Sequence, residues 1–154
     1  MQNKYGKNPY SQYKEMHITT ASPAQLVVML YDGAISAIKL AIEHINNKDY
    51  EAKQKQLNKA QDIILELLNT LDVEQGGEVA TNLQRLYVYM NKRLIDGSFK
   101  LDISALEEVI QLLDDINASW RQLARQQTTG QQMSSGYSDG SLQDPLKPVV
   151  SGKI

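Results

Sequence analysis

The sequence contains no cysteine, which removes disulfide cross-links, thiolate metal sites and thiol nucleophiles together. Its two histidines, His17 and His44, fall in different segments, too few for a zinc site that takes three or four ligands. Phe and Trp occur once each, and alternating β-branched runs are scarce, so sheet signals are weak. No uncharged apolar stretch reaches the roughly 18 residues of a membrane span, because Asp32, Lys39 and Glu43 interrupt the greasiest segment. The opening MQNKYGKNPYSQYKEMHITT is polar and lacks the apolar run of a signal peptide. Charge is nearly balanced, with 16 basic and 18 acidic residues, so the basic footprint of a nucleic-acid binder is missing. The expectation is a soluble, intracellular protein that takes no cofactor and does not insert in a membrane.

What remains is helical pattern, in one domain of 154 residues. Residues 1–20 hold Gly6, Pro9 and three tyrosines without a helical period, and read as an N-terminal arm. A first helix opens at Ser22-Pro23 with Gln25 three positions after the serine, the pattern of a capping box with proline at the first helical position, and runs to about Asn46. A second starts after Asp49 and runs to about Leu71, with Leu57, Ala60, Ile64, Leu67, Leu68 and Leu71 on one face. Gly76-Gly77 reads as a turn. The third helix carries Val79, Leu83, Leu86, Tyr87, Met90 and Leu94, and Gly97 reads as the glycine just past its end. The fourth starts after Asp102, carries Leu106, Val109, Ile110, Leu113, Ile116, Trp120 and Leu123, and fades near Gln126. Short connections force neighbours to run antiparallel, so the expected architecture is an all-α, up-down-up-down four-helix bundle over residues 21–126. Residues 127–154, rich in Gly, Ser, Gln and Pro, read as a flexible tail.

Catalytic chemistry finds little support in these residues. A di-iron bundle needs Glu-x-x-His pairs on facing helices, whereas Glu43 is followed directly by His44. The doublets Glu107-Glu108 and Asp114-Asp115 point roughly 100° apart on a helix and do not converge on one atom. Glu107 and Glu108 also suit the first turns of a helix, where negative charge meets the positive end of the dipole. Gly76-Gly77 lacks the spacing and the lysine of a phosphate loop. An enzyme is not expected.

The first helix carries a surplus of apolar surface. On a helical wheel Gln25, Asp32, Ser36, Lys39 and Glu43 share a polar ridge of roughly 60°. The rest is apolar over roughly 240°, against the stripe of somewhat over 100° that a surface helix needs. Val27, Leu30, Ala34, Ala41 and Ile45 sit at the centre of that arc; Val28, Tyr31, Ile35 and Ile42 form one flank, and Met29, Gly33 and Leu40 the other. On the third helix Val88 and Ile95 lie off the core stripe, and Leu65 is marginal on the second. Apolar surface left over after core formation marks a partner site, or a module that self-associates through it.

Four segments together carry a resemblance: SPAQLVVMLYDGAISAI, KAQDIILELLNTLD, GGEVATNLQRLYVYMNKRL and ALEEVIQLLDDINASWRQ. In order and spacing, over roughly residues 5–125, they resemble the FliS family of flagellar export chaperones. The resemblance implies an antiparallel four-helix bundle of the bacterial cytosol, neither enzymatic nor cofactor-dependent. Its client is the disordered C-terminal segment of flagellin, which wraps the bundle partly as helices and is kept from premature polymerisation. The loaded chaperone passes to the export-gate protein FlhA, and some members contact FliW or an anti-sigma factor. In the family an N-terminal tyrosine covers part of the client site and helps gate docking. Tyr10 in KNPYSQY matches it, with Tyr13 as a rival, although Lys7 stands where the family often has an apolar residue. Combined with the wheel positions, the expected flagellin contacts are Tyr31, Ile35, Ile42, Val88 and Ile95.

Overall fold

A computed structural model describes residues 22–133, with side chains described as far as residue 127. Four helices follow in order: α1 over Pro23–Asn46, α2 over Tyr50–Asn69, α3 over Val73–Lys100 and α4 over Ile103–Met133. Each start has a local cause. The Ser22 side chain accepts from the Gln25 N–H at 3.1 Å while Gln25 Oε1 accepts from the Ser22 N–H at 2.8 Å, a closed capping box that satisfies two otherwise orphaned donors. Asp49 caps α2 through the Ala52 N–H and Asp72 caps α3 through the Gln75 N–H. Asp102 opens α4 by accepting from the Ser104 hydroxyl and the N–H groups of Ser104 and Ala105. These bonds, the Ser104 hydroxyl first, hold the Asp102 carboxyl below the usual carboxylate range.

The linkers are a few residues long, so successive helices alternate in direction. α1 packs against α2 and α4, and α3 packs against the same two, which puts α1 and α3 on a diagonal. The all-α bundle matches the architecture expected from the sequence. α1 is also long and apolar enough by composition to span a membrane. Its burial explains that composition: Ala24, Val27, Tyr31, Gly33, Ala34, Ile35, Ala37, Ile38, Ala41 and Ile45 are all buried. Half of that set are Ala or Gly, which let neighbouring backbones approach closely, so much of the apolar surplus on α1 is core.

Three expected boundaries differ. Gly97 does not end α3, which continues to Lys100 and closes at Leu101 in the left-handed region, φ 52. Gly97 is instead buried where α3 presses on the start of α4; a Cβ there would meet Leu106 Cδ2 at 2.7 Å. Gly76-Gly77 is not a separate turn before α3. Helix starts at Val73, and Gly77, at φ 60 and ψ −135, bends it one turn later. Val79, placed in the core by its spacing, is 58% exposed next to that bend. α4 also runs past the expected fade at Gln126, to Met133.

Candidate functional site

The sequence-derived contact residues separate into two groups. Tyr31 is fully buried, and its hydroxyl lies 2.6 Å from that of Tyr87 on the diagonal helix. The wheel had set it on a flank, but α1 is gripped by two neighbours, so its interior arc is wide enough to take Tyr31 inside. Ile35, 8% exposed, also belongs to the core. Both pack inside the bundle. Ile42 is partly buried and packed against the core. Val88 and Ile95 stand well exposed, at 54% and 56%. Tyr10 and Tyr13 lie outside the described residues.

α3 carries most of the exposed large apolar side chains, and hydrogen bonds show which way each flank faces. Ser98 turns one flank toward α2: its Oγ accepts from Lys53 Nζ at 3.1 Å and donates to Gln54 Oε1 at 2.7 Å. Lys53 is 7% exposed, and it also donates to the Ser98 carbonyl. Ile95 and Val88 are next on this flank, roughly 60–80° further outward. Phe99, 87% exposed, continues the same line four residues on. From the other wall of the groove Leu65 of α2, also exposed, projects on the side of Gln54. The Lys53–Ser98 register places it about level with Val88. Leu65, Val88, Ile95 and Phe99 thus form one apolar stripe along the α2–α3 groove. Within that groove Asn91 Oδ1 is buried without a partner among the described residues.

The opposite flank of α3 is tied to α4. The Tyr89 hydroxyl donates to Glu108 Oε2 at 2.6 Å and Arg93 Nε to Glu108 Oε1 at 2.7 Å. These two donors, Tyr89 first, hold the Glu108 carboxyl below its ordinary range. α1 and α4 are joined by Asp32, whose Oδ1 accepts from Asn117 Nδ2 at 2.8 Å and from Arg121 at 3.1 Å. Ile42 lies on that side of α1, diagonally across from Val88 and Ile95. The expected residues therefore do not line one groove, and a single partner reaches both places only by wrapping around the bundle.

Sequence reading missed Phe99 because ending the third helix at Gly97 removed it from the wheel. Its four-residue spacing from Ile95 was the available signal. Chemically the stripe offers shape and apolar area, with Lys92, exposed on α3, as the charged side chain beside Val88 and Ile95.

Comparison with known proteins gives a consistent result. The model of the family described as flagellar protein FliS matches residues 6–127. A flagellar secretion chaperone FliS of Bacillus subtilis (strain 168) is 35% identical over 130 residues, 84% of this chain and 96% of that protein. The protein of that name from Salmonella typhimurium is 43% identical over 121 residues, covering 77% and 90%. The one from Escherichia coli (strain K12) is 37% identical over 119 residues, covering 76% and 88%.

Proposed function

The chain belongs to the FliS family of flagellar proteins, and from that membership we propose that it binds the disordered C-terminal segment of flagellin. In this reading it shields that segment from premature polymerisation in the bacterial cytosol and delivers it to the export-gate protein FlhA. The relatives are named as secretion chaperones, a role that calls for recognition surface and not for catalysis. The observation that carries the proposal is the exposed stripe Val88, Ile95 and Phe99 on α3 with Leu65 across the groove. An apolar stripe beside a helix groove suits the apolar face of an amphipathic client helix. Ile42 supplies a second, separate contact on α1, which fits a client that wraps the bundle. Tyr10, with Tyr13 beside it, covers part of the client surface in the unloaded chaperone, apart from the α2–α3 stripe, and then takes part in gate docking. FliW or an anti-sigma factor is a further partner in the same setting.

The test is calorimetric titration of a flagellin C-terminal peptide into the full chain and into a Val88→Asp, Ile95→Asp double variant. Both sites are solvent-facing, so the variant keeps its helical spectrum. Its affinity is expected to drop at least tenfold; unchanged affinity in a folded variant would place the client elsewhere. Light scattering separates the competing reading of a self-associating helical module. A free monomer that gains mass only with flagellin supports the chaperone role, and a stable homo-oligomer that ignores flagellin overturns it.

A further inference from the structure

The stripe that suits a client is also a liability in the unloaded protein, since exposed apolar rows invite aggregation. The family match stops at residue 127, and the sequence beyond it contains SLQDPLKPVVSGKI, with Leu146, Val149 and Val150 within five residues. Residues 134–154 lie outside the described residues. We propose that this segment returns along the α2–α3 groove of its own chain, with Leu146 against Val88 and Leu65 and with Val149 and Val150 against Ile95.

Geometry sets that pairing. Glu108 holds both Tyr89 and Arg93, which fixes the antiparallel register of α3 and α4 and puts Val88 about level with Gln111. Met133 ends α4 about 33 Å further along the axis at 1.5 Å per residue. Crossing the end of α3 adds about a helix diameter. An extended chain covers about 3.3 Å per residue, so Leu146, 13 positions after Met133, arrives at the level of Val88 and not much beyond it. Pro145 and Pro148 exclude a helix there and favour an extended run of about 3.1 Å per residue. In that form Leu146 and Val149 are about 9 Å apart, close to the ~10.5 Å between Val88 and Ile95 on α3. The chain direction agrees as well. The segment leaves α4 at the end where α3 begins, so it runs parallel to α3 and meets Val88 before Ile95. Prolines limit the freedom of the unbound segment, which lowers the entropy lost on docking. A cover tethered in this way is displaced by a client that binds more tightly, at some loss of apparent client affinity.

The absence of cysteine makes the test clean. In one variant Val88→Cys is combined with Val149→Cys, and in a control Gln111→Cys is combined with Val149→Cys. Gln111 is exposed on α4, level with Val88 and no further from Met133, so an undirected tether reaches it at least as easily. Under mild oxidation of dilute, folded protein, the Val88–Val149 variant is expected to close an intramolecular disulfide at least tenfold faster. Equal rates would reduce the segment to a loose tether and overturn the proposal. A product that is mainly dimeric would assign the stripe to a second copy. A faster disulfide between Tyr10→Cys and Val88→Cys would assign it to the N-terminal segment. Either outcome overturns the docking of residues 146–150. No arm of the experiment contains flagellin, so its result is independent of the client.

Discussion

Tyr31 and Tyr87 bring two hydroxyls to 2.6 Å inside the bundle, with both side chains wholly buried. Burial disfavours the phenolate, so Tyr31 is pushed up to about 12, despite hydrogen bonds to Tyr87 and Trp120 that act the other way. Tyr87 is raised well above its ordinary value, by burial first and then by Tyr31. Both lie above the value near 10 that an unfolded tyrosine shows. Their contribution to stability is therefore whole below about pH 10 and is lost as pH rises from there toward 12 and beyond. In an alkaline titration read at 295 nm, these two tyrosines are expected to ionise last, in step with loss of helical ellipticity. Ionisation of all eight tyrosines near pH 10 with the spectrum intact would refute the buried pair. Gly97 gives a second residue-scale expectation. An alanine there gains roughly 1 kcal/mol in helix propensity, yet its Cβ would press on Leu106 Cγ at 3.1 Å and Cδ2 at 2.7 Å. Leu106 is fully buried, and overpacking costs about 1–3 kcal/mol. Gly97→Ala is expected to lower stability by up to about 2 kcal/mol in urea denaturation, and a more stable variant would show that α4 can shift away.

At the level of the element, α3 shows where sequence was informative and where it was not. Three of the four helix starts were legible because a cap is local: Ser22 with Gln25, Asp49 and Asp102 each satisfy N–H groups two or three residues away, whereas the start of α3 at Val73 was hidden behind the Gly76-Gly77 pair. The central apolar periods were legible too, since Leu83, Tyr87, Met90 and Leu94 repeat at helical spacing and are indeed enclosed. Glycine was ambiguous, because the same residue serves a helix end, a bend or a close approach, and only the neighbouring helix decides between them. Gly97 proved to be the close approach and Gly77 the bend. How far the interior reaches around a helix is likewise set by neighbours: the wheel alone puts Tyr31 and Ile35 on a flank although both are buried, while the spacing of Val88 and Ile95 agrees with their exposure. The bend yields its own prediction. Space around Gly77 is open, but φ 60 with ψ −135 is a conformation nearly restricted to glycine, at about 1–3 kcal/mol for other residues. Gly77→Ala is expected to cost at least about 1 kcal/mol of stability in urea denaturation. Alanine at the neighbouring exposed Glu78 is expected to cost less than about 0.5 kcal/mol. Equal behaviour of the two variants would mean that α3 straightens freely through the bend.

For the whole molecule, near-neutral charge and an apolar stripe make a joint statement about how partners are held. A net charge of −2 provides little long-range steering. Around the stripe, Lys92 is the main charged side chain between Val88 and Ile95 on the outward side of α3. Binding that rests on Leu65, Val88, Ile95 and Phe99 removes apolar surface from water, and its robust mark is a negative heat-capacity change. It should also be insensitive to screening, since the Debye length shortens from about 10 Å at 0.1 M salt to about 3 Å at 1 M without touching the apolar contribution. Flagellin-segment affinity is thus expected to change less than about threefold between 0.1 and 1 M sodium chloride, while the binding enthalpy becomes steadily more negative from 10 to 35 °C. The two measurements separate the alternatives. A tenfold or greater loss of affinity in salt would mean that the client reads charged side chains and not the stripe. A flat enthalpy would mean that little apolar area is covered, which is incompatible with a segment that wraps from the α2–α3 groove to Ile42 on α1.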